Sequence, residues 1–177
     1  YFSPDGHYDR PVDIAGTPLV FTGAMDYWPN VDAAVHFVTT IFPGIRQRIP
    51  DARAIIVGSN PAPAVKALAR SGEVVVTGRV PDVRPYIAHA SAVVAPIRVA
   101  RGVQNKVLEG MAMAKPVIAS PAAATGIEAE EGKELVIAES ADSFAAATEV
   151  VALTPMGKTI GESARRRVIA NYGWSAS

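Results

Sequence analysis

Six short runs rich in valine, isoleucine and alanine recur along the chain: "PLVFTG", "ARAIIVG", "EVVVTG", "SAVVAP", "KPVIAS" and "ELVIAES". Most are separated by stretches with helical spacing, the clearest being "PNVDAAVHFVTTIFPGIRQRIP", with Val31, Ala34, Val35, Val38 and Ile41 on one face. A strand apolar on both sides has no face for water. It must be covered on both, and parallel neighbours need the crossovers that helices supply. The expected fold is therefore α/β: a doubly wound, Rossmann-like parallel sheet of about six strands with helices on both faces. The segment "GKTIGESARRRVIANYGW" is expected to close it as a helix.

A chain of 177 residues, 49% hydrophobic, can build one full core. One domain is expected over residues 18–177, after a lead-in or linker over 1–17 that holds Pro4, Gly6, Pro11 and Gly16. Seventeen basic residues balance seventeen acidic ones, so no global field attracts nucleic acid, and anion recognition must be local. The absence of cysteine excludes disulfides, thiolate metal sites and cysteine nucleophiles, and fits a reducing compartment. No apolar run reaches transmembrane length, and "YFSPDGHYDRPVD" has neither the basic start nor the apolar stretch of a signal peptide. A soluble, cytoplasmic protein is expected.

Open parallel sheets bind ligands beyond the carboxyl ends of their strands, where the strand order reverses. The loops in question follow Thr22, Val57, Thr77, Ala95 and Ala119. After the first strand, "TGAMDYWPN" has one glycine where a dinucleotide fingerprint needs three, and it lacks the Gly-Lys-Ser/Thr ending of a P-loop. The loop after "AVVAP" is richer, with Arg98, Arg101, Gly102, Gln104, Asn105 and Lys106 close together. If a helix starts near Gln104, its free amides and positive dipole end make an anion site that Arg98, Arg101 and Lys106 reinforce, and phosphate is the natural anion. Lys106 and Glu109 share a helix face, while Val107, Leu108 and Met111 take the side that packs on the sheet. Glu109 then stands about 6 Å further along the axis, at roughly 1.5 Å per residue, where a carboxylate can accept both hydroxyl hydrogens of a ribose. An ordinary surface pair is the competing reading of the same spacing.

The stretches "FTGAMDYWPNVDAA", "IPDARAIIVGSNP", "VVVTGRVPDVRPYIAHASAVVAPIRVARGVQNKVLEGMAMAKPVIAS" and "NYGW" together span Phe21 to Trp174. They resemble the carboxyl-terminal, nucleotide-sugar-binding domain of GT-B glycosyltransferases of family four, especially the exopolysaccharide-associated sugar transferases. The resemblance implies that Glu109 is the second glutamate of the family's Glu-x7-Glu motif and holds the ribose. The first falls at Arg101, which suits phosphate or an acidic sugar. The family's arginine and lysine after the first strand are replaced by Asp26 and Asn30, leaving the diphosphate to Arg98, Arg101 and Lys106. In the same way, Arg79 and Val80 fall beside the nucleobase, and the loop of Gly102, Val103, Gln104 and Asn105 falls along the donor. Gly23 either permits close approach of the donor or simply ends a strand in a turn.

By resemblance, the whole enzyme would transfer a hexose-type sugar from UDP or GDP to a glycan or lipid-linked acceptor, with retention. An amino-terminal acceptor domain would complete the cleft, and this half alone is expected to be inactive. Arg98 and Lys106 would stabilise the leaving diphosphate, with no metal and no cofactor beyond the nucleotide-sugar donor. Membrane contact is expected at most peripherally, at the inner face. A domain of a nucleotide-sugar epimerase and a non-catalytic nucleotide-sugar binding module are the alternatives.

Other features carry weaker signals. His7, His36 and His89 read as structural or solvated. Consecutive Arg165, Arg166 and Arg167 fan around a helix, which suits a solvated surface better than anionic lipid. "AEEGKE" reads as a solvated turn without metal-binding partners. Tyr27 and Trp28 either cover a sugar or base, or pack against Pro29.

Overall fold

The computed structural model describes residues 1–70 and 72–173, so Trp174 of the "NYGW" match lies outside the described residues. Among these, six strands form one sheet: β1 (Thr17–Thr22), β2 (Ala52–Val57), β3 (Val74–Val76), β4 (Ala92–Ala95), β5 (Val117–Ala119) and β6 (Val136–Ile137). Their spatial order is β3-β2-β1-β4-β5-β6, and every neighbouring pair is parallel. The expected doubly wound sheet is the observed one. Its order reverses between β1 and β4, which leaves a crevice at their carboxyl ends.

The strands are apolar on both sides because both sides are covered. Leu19 and Phe21 of β1 enter the larger core, whereas Val20 joins Ile55, Val57, Ala90 and Ile14 in a smaller one. Phe21, Phe37, Phe42 and Phe144 are among the largest fully buried side chains. Truncating a ring of that kind costs about 3–5 kcal/mol.

The first long helical segment departs from the regular helix expected. It runs as α1 (Trp28–His36), a π-helical turn (Phe37–Ile41) and α2 (Phe42–Arg48). Pro43 has no N–H, and its ring crowds the carbonyl four residues back; widening the helix just before it relieves both. The Phe42 amide accordingly reaches back to the Phe37 carbonyl. Phe37, Val38, Ile41, Phe42 and Ile45 all remain buried through the change of pitch.

The remaining helices are α3 (Pro63–Lys66), α4 (Arg84–Ala88), α5 (Asn105–Ala112), α6 (Pro121–Ala124), α7 (Ala141–Leu153) and α8 (Met156–Tyr172). Ser140 and Ser143 close a reciprocal capping box at the start of α7. Helix α5 lies close on the sheet at Gly110, where a Cβ would meet Val117 Cγ2 at 2.8 Å and Val93 Cβ at 3.2 Å.

Residues 1–16 hold no helix or strand, yet they are fastened to the domain. The Arg84 guanidinium lies 3.9 Å from the centre of the Tyr1 ring, His89 Nε2 is 2.8 Å from the Tyr8 carbonyl, and Ile14 is buried.

Two surface readings are corrected. Arg165 donates to the Ala112 carbonyl at the end of α5 and to the Phe2 carbonyl, so it joins two elements rather than fanning into water. Arg167 meets Glu134 at 2.9 Å, and Glu134, read from the sequence as part of a solvated turn, is only 7% exposed. Burial alone would push the Glu134 carboxyl up, but Arg167 and the Glu130 amide hold it below its ordinary value.

Candidate functional site

A cleft of about 560 Å³ opens at the carboxyl ends of β1 and β2 and is closed on the far side by the loop that follows β4. Each wall comes from a strand end. Thr22, Gly23 and Ala24 leave β1, with Tyr27 and Asn30 at the start of α1 beside them. Val57, Gly58 and Ser59 leave β2, and Arg79, Val80 and Val83 follow β3. Arg101, Val103, Gln104, Asn105, Lys106 and Glu109 form the remaining wall.

The first two walls touch backbone to backbone. A Cβ on Gly58 would lie 1.6 Å from the Gly23 carbonyl oxygen, so no larger residue fits there without moving the loops apart. Asn30 is 5% exposed and donates its Nδ2 to the Ala24 carbonyl at 3.0 Å, fixing the turn that leaves β1.

Helix α5 begins at Asn105, with Gln104 as its cap residue and no side chain bonded to the first-turn amides. The Val107 amide is bonded to the Gln104 carbonyl at 3.0 Å, which leaves the Asn105 and Lys106 amides without a carbonyl partner among the described residues, and the dipole gives them partial positive charge. Val107, Leu108 and Met111 are buried against the sheet, which turns Lys106 and Glu109 towards the cleft. The loop before the helix is held by Ser120, whose hydroxyl donates to the Ile97 carbonyl and accepts from the Ala123 amide at 3.1 Å.

Lys106 and Glu109 are each about two-thirds or more withdrawn from water, yet among the ion pairs of the described residues there is none between them. Lys106 Nζ lies 3.1 Å from Gln104 Oε1 and 5.7 Å from the centre of the Phe21 ring. Burial lowers the pKa of Lys106, while the charge of Glu109 opposes the shift. Burial raises that of Glu109, and Lys106 opposes it in turn. Arg79 and Arg101 are exposed at the cleft, and neither makes an ion pair or side-chain hydrogen bond among the described residues.

The structure thus brings together Gly23, Arg79, Val80, Arg101, Val103, Gln104, Asn105, Lys106 and Glu109. It does not bring Arg98 there. The Arg98 guanidinium is bidentate on Asp32 of α1, with Nε 2.9 Å from Oδ2, and it holds the Asp32 carboxyl below its ordinary value. A carboxylate within reach has claimed the cation that the sequence offered to phosphate. Gly102 is also displaced: it turns with φ +72° and lines a smaller neighbouring hollow beside Thr125 and Gly126.

Gly58 and Ser59 also line the cleft, and a single Gly-Ser after Val57 gives no chemical signal in the sequence. Asn30, which replaces a family cation, lines the cleft as well, and its Nδ2 is spent on the Ala24 carbonyl. Among the described residues, no group of three or more His, Asp or Glu side chains is placed to hold a metal ion.

The sequence profile of a family described as glycosyl transferases group 1 matches residues 16–153. No curated protein matches the chain. Among solved structures, TarM of S. aureus is similar with a TM-score of 0.75 at 14% identity, over 97% of this chain and 34% of TarM. The C-terminal domain of a glycosyl transferase group 1 family protein, LpcC of Francisella tularensis, is similar with a TM-score of 0.66 at 17% identity, over 89% of this chain and 86% of that domain. HepE of Anabaena in complex with UDP-glucose gives 0.71 at 16% identity, over 89% of this chain and 45% of HepE. The chain therefore spans about a third of TarM and under half of HepE, and the likeness to all three is one of fold.

Proposed function

Because this chain belongs to the glycosyl transferases of group 1, we propose that it is the donor-binding, carboxyl-terminal half of a two-domain GT-B enzyme. The enzyme transfers a hexose-type sugar from a nucleoside diphosphate to a glycan or lipid-linked acceptor, with retention. The observation that carries this reading is the unpaired placement of Lys106 and Glu109 at one cleft. Withdrawing two opposite charges from water without pairing them is costly, and a ligand that meets each separately accounts for it.

The diphosphate lies at the first turn of α5, against its free amides, Lys106 and Arg101. Glu109 accepts the ribose hydroxyls one turn further on. Arg79 and Val80 border the base, and the glycine contact between the two strand-end loops lets the donor approach the backbone. Arg98 has no part in this scheme, since Asp32 holds it. Catalysis then comes from holding the donor and from stabilising charge on the leaving diphosphate, which asks for no metal. The complex of HepE with UDP-glucose supports a uridine diphosphate sugar as the donor. The rest of the cleft, with the acceptor site, belongs to the other half, so residues 1–177 alone neither transfer nor hydrolyse the donor. Resemblance to exopolysaccharide-associated transferases supports work at the inner face of a membrane. Among the described residues, no helix is long and apolar enough to cross one.

Thermal unfolding with added ligand tests the reading. UDP or GDP raises the melting temperature, and a nucleotide at about a hundred times its Kd adds about 2.7 kcal/mol. NAD leaves it unchanged. Stabilisation by NAD and by neither nucleotide would overturn the assignment.

A further inference from the structure

A second cavity, of about 520 Å³, lies at the opposite end of the strands. It is bounded by the turn Met113–Lys115, by α8 and by Pro4 and Asp5 of the lead-in. Lys115 precedes β5, so this cavity faces the amino ends of the strands, whereas the donor cleft faces their carboxyl ends.

Lys115 is fixed by its backbone. Ala114 adopts φ +56°, and the tight turn is closed by the Lys115 amide on the Gly110 carbonyl at 3.0 Å and the Ala114 amide on the Met111 carbonyl at 3.0 Å. A residue with a side chain seldom takes that conformation, so the direction of Lys115 is set by a turn held against local preference. The Lys115 side chain is largely withdrawn from water and makes no ion pair or hydrogen bond among the described residues. Burial lowers its pKa, and no negative charge opposes the shift.

Compensation of the dipole at the end of α5 does not account for it, because Arg165 already serves there by donating to the Ala112 carbonyl. Around Lys115 the wall also carries Lys158, Arg165 and Arg166, against two carboxylates, Asp5 and Glu162. Both carboxylates are exposed and loosely held, Asp5 at 3.9 Å from Arg165 and Glu162 at 4.0 Å from Lys158. The cavity therefore keeps a surplus of positive charge, with the partly buried Lys115 in its lining.

We propose that this cavity binds a phosphate group, with the partly buried Lys115 as the anchor and Arg166 and Lys158 as outer donors. A phosphate monoester carries close to two charges near neutral pH and three acceptor oxygens, which matches the surplus and the number of donors. The cavity is larger than a phosphate alone, leaving room for whatever carries it. A lipid headgroup and a soluble phosphate compound offer the same chemistry, and the experiment separates them.

Amide shifts are followed by NMR as inorganic phosphate is titrated into the full chain, with chloride at matched ionic strength as control. Shifts centred on Met113 to Val117 and on α8 are expected, separate from any at the start of α5. Lys115→Met keeps the stem and weakens phosphate about tenfold, the loss of one charge-assisted hydrogen bond. Arg166→Gln, on an exposed residue that also donates to Ser163, weakens it about threefold. Sedimentation with phosphatidylcholine vesicles, with and without a phosphoinositide, is the second arm. Binding that needs both the phosphoinositide and Lys115 assigns a headgroup, and phosphate binding without vesicle binding assigns a soluble compound. Two results overturn the proposal: neither probe binds through Met113 to Val117, or binding survives both substitutions unchanged.

Discussion

Glu109 is held in the fold at a cost. Burial raises its pKa above the ordinary value of 4.5, so the folded chain binds that proton more tightly than the unfolded one. The sign follows from linkage. The contribution favours folding below the unfolded pKa and is lost as pH rises through the folded pKa, leaving a penalty at neutral pH. Glu109→Gln removes the charge and keeps the shape, so the ligand-free variant should be more stable than the parent at pH 7, by about 1 kcal/mol. The gap should close in acid, below the ordinary glutamate range. Urea unfolding at pH 7 and pH 4 checks this, and a variant less stable than the parent at pH 7 would show that Glu109 has a partner within the fold.

At the scale of the element, α5 carries the site because it lies close on the sheet. Gly110→Ala adds a methyl group that must displace Val117 or the helix. The better helix propensity of alanine returns about 1 kcal/mol, while overpacking costs about 1–3 kcal/mol, so a net loss near 1 kcal/mol is expected. UDP and pyrophosphate should weaken together, since both depend on where α5 points; calorimetry on the variant measures it, and undiminished affinity for both would detach the site from the helix position. This helix and its buried face were legible in "NKVLEGMA", because Val107, Leu108 and Met111 have the right spacing and the run holds no proline. The π-helical turn at Phe37–Ile41 was not, since helical periodicity is insensitive to one wider turn of the kind that accommodates Pro43. The fate of Arg98 was equally hidden. Arg98 lies in the loop after β4 and its partner, Asp32, is 66 residues away on α1, so sequence spacing carries no trace of that pair. Gly102 stood in the right loop, but which way a loop turns depends on its anchors, here Ser120 on Ile97.

For the whole molecule, apolar runs revealed the parallel sheet, but not the order that puts β1 beside β4. That order makes the crevice, and the backbone contact of Gly58 with Gly23 gives it its floor. With seventeen charges of each sign, the chain has no overall field, so nucleotide affinity must come from the few cations at the cleft and fall only moderately with salt. The central claim is that α5 divides the work, with cations and amides for phosphate and a carboxylate for ribose. Titration calorimetry with UDP and with pyrophosphate, on the parent, Glu109→Gln and Lys106→Ala, tests it most directly. Lys106→Ala should weaken both ligands about tenfold, and Glu109→Gln should weaken UDP by about tenfold or more while leaving pyrophosphate nearly unchanged. Equal losses of UDP and pyrophosphate in Glu109→Gln, or no loss of either in both variants, would contradict it.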